Sequence, residues 1–155
     1  MSRSRPKAGV MGLLPFVDEH VVVVDAGVEE LWPRLLVKVG RSLSTGSGAR
    51  YARVVGAVPR ESGGGRPLEV GSEFPGFRVA RLVPGRELAL EGRHRFSSYS
   101  LVFRVEELAG GRCRLRAETR AVFPGAAGRV YRALVIGSGG HAFAMRRMLM
   151  GYRQA

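Results

Sequence analysis

The sequence predicts an α+β domain: an antiparallel β-sheet covered on one face by a long C-terminal helix. Three observations predict it. Strand-like segments follow one another from about residue 74 to 123, with turn-forming glycines and prolines between them. One strand and one helix precede that series. The chain then runs from Gly128 to Arg153 at helical spacing, long enough to lie across every strand.

Taken in order, Asp18 to Val24 reads as a strand, and its four consecutive valines predict burial on both faces or a place at the sheet centre. Asp25 stands where it can cap a helix over about 26–39, with Leu31, Trp32, Leu35, Leu36 and Val39 at helical spacing. Pro33 lies too deep for a first-turn proline and predicts a kink or a break. Residues 40–50, rich in serine and glycine, read as a loop. Residues 51–58 return to strand, and 59–67, with Gly63–Gly65, read as a turn. Strands over 74–83 and 87–96 are joined by Pro84-Gly85, and strands over 98–108 and 112–123 by Ala109-Gly110-Gly111. Pro124-Gly125 ends the sheet.

Alternation assigns the faces. Cys113, Leu115, Ala117, Thr119 and Ala121 share one side of the last strand, with Arg112, Arg114, Arg116, Glu118 and Arg120 on the other. Tyr99, Leu101, Phe103 and Val105 match the first set, as do Leu88, Leu90, Gly92, His94 and Phe96. The outward mixture of arginine and glutamate predicts cross-strand pairing in water. The terminal helix carries its stripe through Tyr131, Leu134, Ser138, His141, Met145, Met148 or Leu149, and Tyr152. Gly137, Gly139 and Gly140 cost roughly 1 kcal/mol each in a regular helix, so a bend is expected there.

Length and composition fit one domain over 16–153 with a basic N-terminal tail over 1–15. No apolar run approaches the roughly 20 residues of a membrane span, and the N-terminus lacks a signal-peptide pattern. The single cysteine, Cys113, excludes an internal disulfide and fits a reducing, cytoplasmic setting. The net charge of +12 raises binding to nucleic acid or an anionic membrane through an arginine-rich surface, against the alternative of a solvated basic exterior. There is no HExxH, no paired CxxC and no histidine triplet, and neither Gly46-Ser47-Gly48 nor Gly137–Gly140 forms a nucleophile elbow or phosphate loop. Neither a metal nor a cofactor is expected. Cys113 reads as an inert buried thiol.

Several segments resemble the SRPBCC superfamily, which includes START lipid-transfer domains, birch-pollen-allergen-like proteins and aromatase/cyclases. They are Val21–Trp32, Gly76–Glu91, Tyr99–Glu107 with Arg114–Thr119, and Phe123–Arg132. The last is similar to an uncharacterised branch related to polyketide cyclase/dehydrase-like proteins, in which a proline and a histidine often stand in mid-helix; here glycines precede His141. The resemblance covers about 16–153. It implies a helix-grip fold, a curved antiparallel sheet wrapped around the long C-terminal helix with a ligand cavity between them.

Such a cavity holds a hydrophobic or aromatic small molecule, and the candidates facing it are Trp32, Phe77, Val79, Leu90, His94, Tyr99, Phe103, Leu134, Ser138, His141 and Met145. Plain core packing competes with this reading at each aromatic and methionine. A hydrogen-bonded structural histidine competes at His94 and His141. The leading expectation is binding or carriage of that molecule. The alternative is a cyclase/dehydratase-type enzyme working without metal, with His94 or His141 as general acid/base, Tyr99 polarising a ligand oxygen, and Arg78 or Arg81 contacting an anionic group. Expected geometry places Ser138 and His141, at the helix bend, opposite His94 and Tyr99.

Overall fold

The computed structural model describes residues 14–44, 68–137 and 139–153. Its strands are β1 (Phe16–Val24), β2 (Glu73–Phe74), β3 (Phe77–Val83), β4 (Glu87–His94), β5 (Ser97–Leu108) and β6 (Arg112–Val122). Helix α1 (Val28–Ser44) follows β1. The C-terminal segment consists of α2 (Gly125–Arg132), a π-helical turn (Ala133–Gly137) and α3 (Gly140–Met150). Among the described residues the strands form one curved antiparallel sheet in the order β1-β6-β5-β4-β3-β2. The α+β, helix-grip architecture is therefore the one the element order implies.

Strands β2 to β6 form a meander, each paired with its successor, while β1 returns to lie beside β6. That topology makes β1 an edge strand, which corrects the reading of its four valines. Val22 and Val24 are buried, but Val21 and Val23 are 48% and 41% exposed. A strand covered on one face buries alternate residues only, whatever its local hydropathy.

Helix α1 differs from expectation at both ends. The N–H groups of Glu30 and Leu31 bond the Gly27 carbonyl, so Gly27 rather than Asp25 occupies the cap position. The helix also runs unbroken through Pro33 and on to Ser44, into the expected loop. Pro33 is exposed and cannot donate to the Glu29 carbonyl, while Leu31, Leu35 and Val39 on the opposite side are buried. Burial of each of those leucines contributes about 1.5–3 kcal/mol, comparable to the proline's cost of about 3 kcal/mol. The expected strand over 74–83 is divided at Pro75-Gly76, where Gly76 takes φ 84°. The expected strand over 51–58 lies outside the described residues.

The concave face is covered by two helices rather than one. Leu31, Leu35 and Val39 of α1 share a buried cluster with Leu88, Leu90, Phe103 and Leu115 of the sheet and with Met145, Leu149 and Tyr152 of the C-terminal segment. Tyr152 is fully buried, with the Lys38 ammonium 4.4 Å from its ring centroid. Lys38 also donates to the Gly151 carbonyl, tying α1 to the end of the C-terminal segment. Burial, then the nearby Arg34 charge, holds the Lys38 pKa below its ordinary value.

The convex face is a lattice of arginine and glutamate. Arg104 reaches Glu87 at 3.1 Å and Glu118 at 2.9 Å, Arg78 reaches Glu91 at 3.1 Å, and Arg116 reaches Glu19 at 3.1 Å. Burial alone would raise the Glu118 pKa, but hydrogen bonds from Arg120 and Arg104 hold it below the ordinary value. Small residues on this face, Ala89, Ser100 and Val102, are buried at the centre of the lattice, which fits coverage by the apolar stems of the longer side chains. Each exposed pair contributes little by itself. Among the described residues no helix is long and apolar enough to cross a membrane.

The Tyr152 hydroxyl is buried without a hydrogen-bond partner. Removing only that oxygen, in Tyr152→Phe, is expected to raise stability by about 1 kcal/mol, because a buried unsatisfied hydroxyl costs about 1–3 kcal/mol. Tyr152→Ala is expected to lose about 3–5 kcal/mol. Urea denaturation midpoints of the two variants check both signs.

Candidate functional site

The concave face changes character along its strands. Leu88, Phe103 and Ala117 form a fully buried cross-strand row, followed by Leu90 with Leu101 and Thr119. The next row is Gly92, Tyr99 and Ala121, and beyond it His94 pairs with Ser97. In these last rows the aromatic side chains become half-buried. Phe77, His94, Phe96, Tyr99, Phe123 and Tyr131 all keep partial exposure.

Their rings touch in series. Phe77 meets Tyr99 edge-on at 5.2 Å, Tyr99 lies 5.5 Å from His94, and His94 meets Tyr131 of α2 at 4.7 Å. Tyr131 stacks on Phe96 at 5.3 Å. Gly92 makes the arrangement possible: a Cβ there would lie 2.8–2.9 Å from the Tyr99 ring and hydroxyl and would collide with the Gly76 carbonyl. Tyr99 uses this space to donate its hydroxyl hydrogen to Gly76 O at 2.5 Å. A hydroxyl has one hydrogen, so in this arrangement Tyr99 cannot also donate to a ligand oxygen, as the expected polarising role requires.

His94 is held by its own turn. The Phe96 N–H donates to His94 Nδ1 at 3.0 Å, which makes Nδ1 the acceptor and places the neutral ring's hydrogen on Nε2. Burial pushes the His94 pKa below its ordinary value. The ring is thus a neutral Nε2–H donor set among aromatic faces.

A second polar group lies where β1, β6 and α3 meet. Asp18 stands opposite Thr119, and His20 opposite Ala117. His20 Nε2 is 3.1 Å from Asp18 Oδ2; His141 Nε2 is 3.3 Å from Asp18 Oδ1 and 3.1 Å from Thr119 Oγ1. One carboxylate therefore lies between two imidazoles, all partly buried. Small inward side chains at Ala117 and Thr119 leave room for the rings. The helix break supplies the rest: Gly139, at φ 76°, caps α3, whose first residue, Gly140, precedes His141.

The expected residues thus fall into distinct places. Val79, Leu90, Phe103 and Met145 are core, and Trp32 is half-buried against it. Phe77, His94 and Tyr99 belong to the aromatic group. His141 joins Asp18 and Thr119, so the expected juxtaposition of His141 with His94 and Tyr99 gives way to two separate groups. Leu134 is corrected outright: it is 68% exposed. The π-helical turn moves the inward positions after Tyr131 to Val135 and Ile136, both half-buried. Ser138 lies outside the described residues. Arg78 and Arg81 point outward to Glu91 and Glu87. Asp18 and His20 were missed, although strand alternation places both on the face of Val22 and Val24.

Cys113 is buried and its pKa raised, first by burial, as suits an unreactive thiol. An open groove of about 630 Å³ lies at the other end of the sheet, between Val28, the Pro84-Gly85 turn and Arg104, Glu106 and Arg116. Its lining is largely charged and shares no residue with the aromatic group.

Comparison with known proteins agrees with this architecture. The structure is similar to CalU16 from Micromonospora echinospora, with a TM-score of 0.53 at 17% identity, covering 87% of this chain and 73% of that one. It is also similar to the Mll3558 protein from Rhizobium loti, with a TM-score of 0.52 at 16% identity, covering 86% and 91% of the two chains. At such identities the likeness concerns the fold alone, the helix-grip architecture described above. No protein-family model matches the sequence, and no curated protein matches it.

Two outcomes are expected from the aromatic end. Gly92→Ala should displace Tyr99 and cost about 1–3 kcal/mol, read from urea midpoints. The second concerns pH. The folded-state pKa of His94 lies below its ordinary 6.5, so the unfolded chain takes up this proton first as pH falls through 6.5. Stability should drop across that window and level off once the folded ring is also protonated. His94→Gln should remove this part of the slope, checked by comparing its midpoints with wild type at about pH 8 and about pH 5.

Proposed function

We propose that the protein binds a hydrophobic or aromatic small molecule between the sheet and the C-terminal helical segment, at the end occupied by Phe77, His94, Phe96, Tyr99 and Tyr131. The observation that carries this reading is the contrast along one sheet face. Residues packed against α1 and α3 are sealed from solvent, whereas the aromatic rings beneath α2 remain half-buried. Half-buried apolar surface with one oriented polar donor is the composition of a small-molecule site. His94 Nε2–H suits a carbonyl or phenolic oxygen, and Tyr99 orients the rings rather than donating to the ligand. The fold supports the same reading.

A second reading, acid–base chemistry of the cyclase/dehydratase type, is favoured by the pairing of His141 with Asp18. A carboxylate beside an imidazole fixes the ring and stabilises its protonated form during proton transfer. On this reading His141 moves the proton, Thr119 holds the ring through its hydrogen bond to Nε2, and Asp18 Oδ1, buried 3.3 Å away without a hydrogen bond of its own, supplies the compensating charge.

Organic extraction of the purified protein followed by mass spectrometry tests the first reading, which expects a co-purifying apolar or aromatic compound. Titration with that compound should show Tyr131→Ala and His94→Ala weakening affinity by at least about tenfold, or 1.4 kcal/mol. Unchanged affinity in both variants would remove the aromatic site. If the compound is turned over, loss of kcat in His141→Ala with retained binding would select the second reading.

A further inference from the structure

Most arginines of the sheet pair with glutamates, but those of the C-terminal segment do not. Arg129, Arg132, Arg146, Arg147 and Arg153 follow Pro124 with no aspartate or glutamate among them. Among the described residues none of the five has a carboxylate partner. Among the described residues a localised part of the +12 charge therefore stands on one element without a carboxylate partner.

The same element exposes large apolar side chains. In α3, Met145 and Leu149 are buried, while Phe143 is 66% and Met150 53% exposed. Phe143, Arg146, Arg147 and Met150 recur at i, i+3, i+4 and i+7, so they form one outward stripe. It lies on the far side of α3 from the core residues. The preceding turns repeat the pattern: Val130 is 61% exposed and Leu134 is outward, flanked by Arg129 and Arg132. A helix with its inner stripe already in a core has no packing reason to carry a second apolar stripe on its solvent side.

We propose that this outward face of the C-terminal helical segment docks on an anionic phospholipid surface. Phe143 and Met150 enter the boundary between headgroups and acyl chains, and Arg146 and Arg147 pair with lipid phosphates while their stems lie along the apolar layer. Charge selects this occupant. A second copy of the chain would set one acid-free arginine stripe against another. A nucleic-acid backbone would satisfy the arginines but leave Phe143, Leu134 and Met150 in water. An anionic bilayer takes both. The proposal is independent of what the aromatic end binds.

Co-sedimentation of the full chain with vesicles tests it, using phosphatidylcholine alone and phosphatidylcholine with phosphatidylserine at about 7:3. Binding is expected to the mixed vesicles only. Two surface variants separate the contributions: Phe143→Ser with Met150→Ser, and Arg146→Gln with Arg147→Gln. Each should weaken binding by at least about tenfold while leaving thermal unfolding and extraction of the small molecule unchanged. The proposal is overturned if the mixed vesicles are not bound. Full binding by the Phe143/Met150 variant also overturns it. So does retention of a duplex DNA oligonucleotide, dependent on Arg146 and Arg147, in preference to the vesicles.

Discussion

Everything on the concave face depends on how α1 and the C-terminal segment share it. Neither helix alone covers the sheet. They meet at Tyr152, whose ring is sealed in the core, and at Lys38, which joins α1 to the Gly151 carbonyl. Closing that junction fixes α3 over β1. With the end of α3 held, the left-handed Gly139 separates α3 from the helical turns before it. Tyr131 on one side of the break serves the aromatic end, and His141 on the other serves the carboxylate of Asp18.

The two polar groups follow from unequal side-chain size along the strands. Leucine and phenylalanine fill the inward positions of β4 and β5 beneath α1, whereas β6 presents Ala117, Thr119 and Ala121 to the same face and β4 carries Gly92 near its end. Larger side chains take the space these leave: Tyr99 lies against Gly92, His20 stands beside Ala117 on the neighbouring strand, and His141 reaches Thr119. Burial then makes His94 a neutral donor. Geometry and protonation state thus have one origin, the small side chains on this part of the inward face.

Much of this was legible because strand alternation is a strict geometric rule. It gave the inward sets of β4, β5 and β6, the arginine–glutamate outer face and the inward turn of His94. The glycines before His141 likewise marked the helix break. What local pattern could not supply was position in the sheet. Four valines read alike at a centre or an edge, and only the return of β1 to β6 exposes Val21 and Val23. Nor could helical periodicity register a π-helical turn, which sends Leu134 outward after a correct start at Tyr131. Asp18 and His20 gain meaning only beside His141, more than a hundred residues later, a pairing no local window contains.

The return of β1 to β6 also bears on synthesis. Among the described strands, Phe16–Val24 precedes the others in the chain and pairs only with Arg112–Val122, which is made much later. In that interval Val21–Val24 is an unpaired, strongly β-forming run, the kind of segment through which nascent chains associate. Its sequence neighbours answer the hazard: Asp18 and Glu19 precede the valines and Asp25 follows them. Charges flanking an unavoidable apolar strand act as gatekeepers against premature pairing. Asp18, the carboxylate that lies between two histidines in the folded protein, is one of these flanking charges.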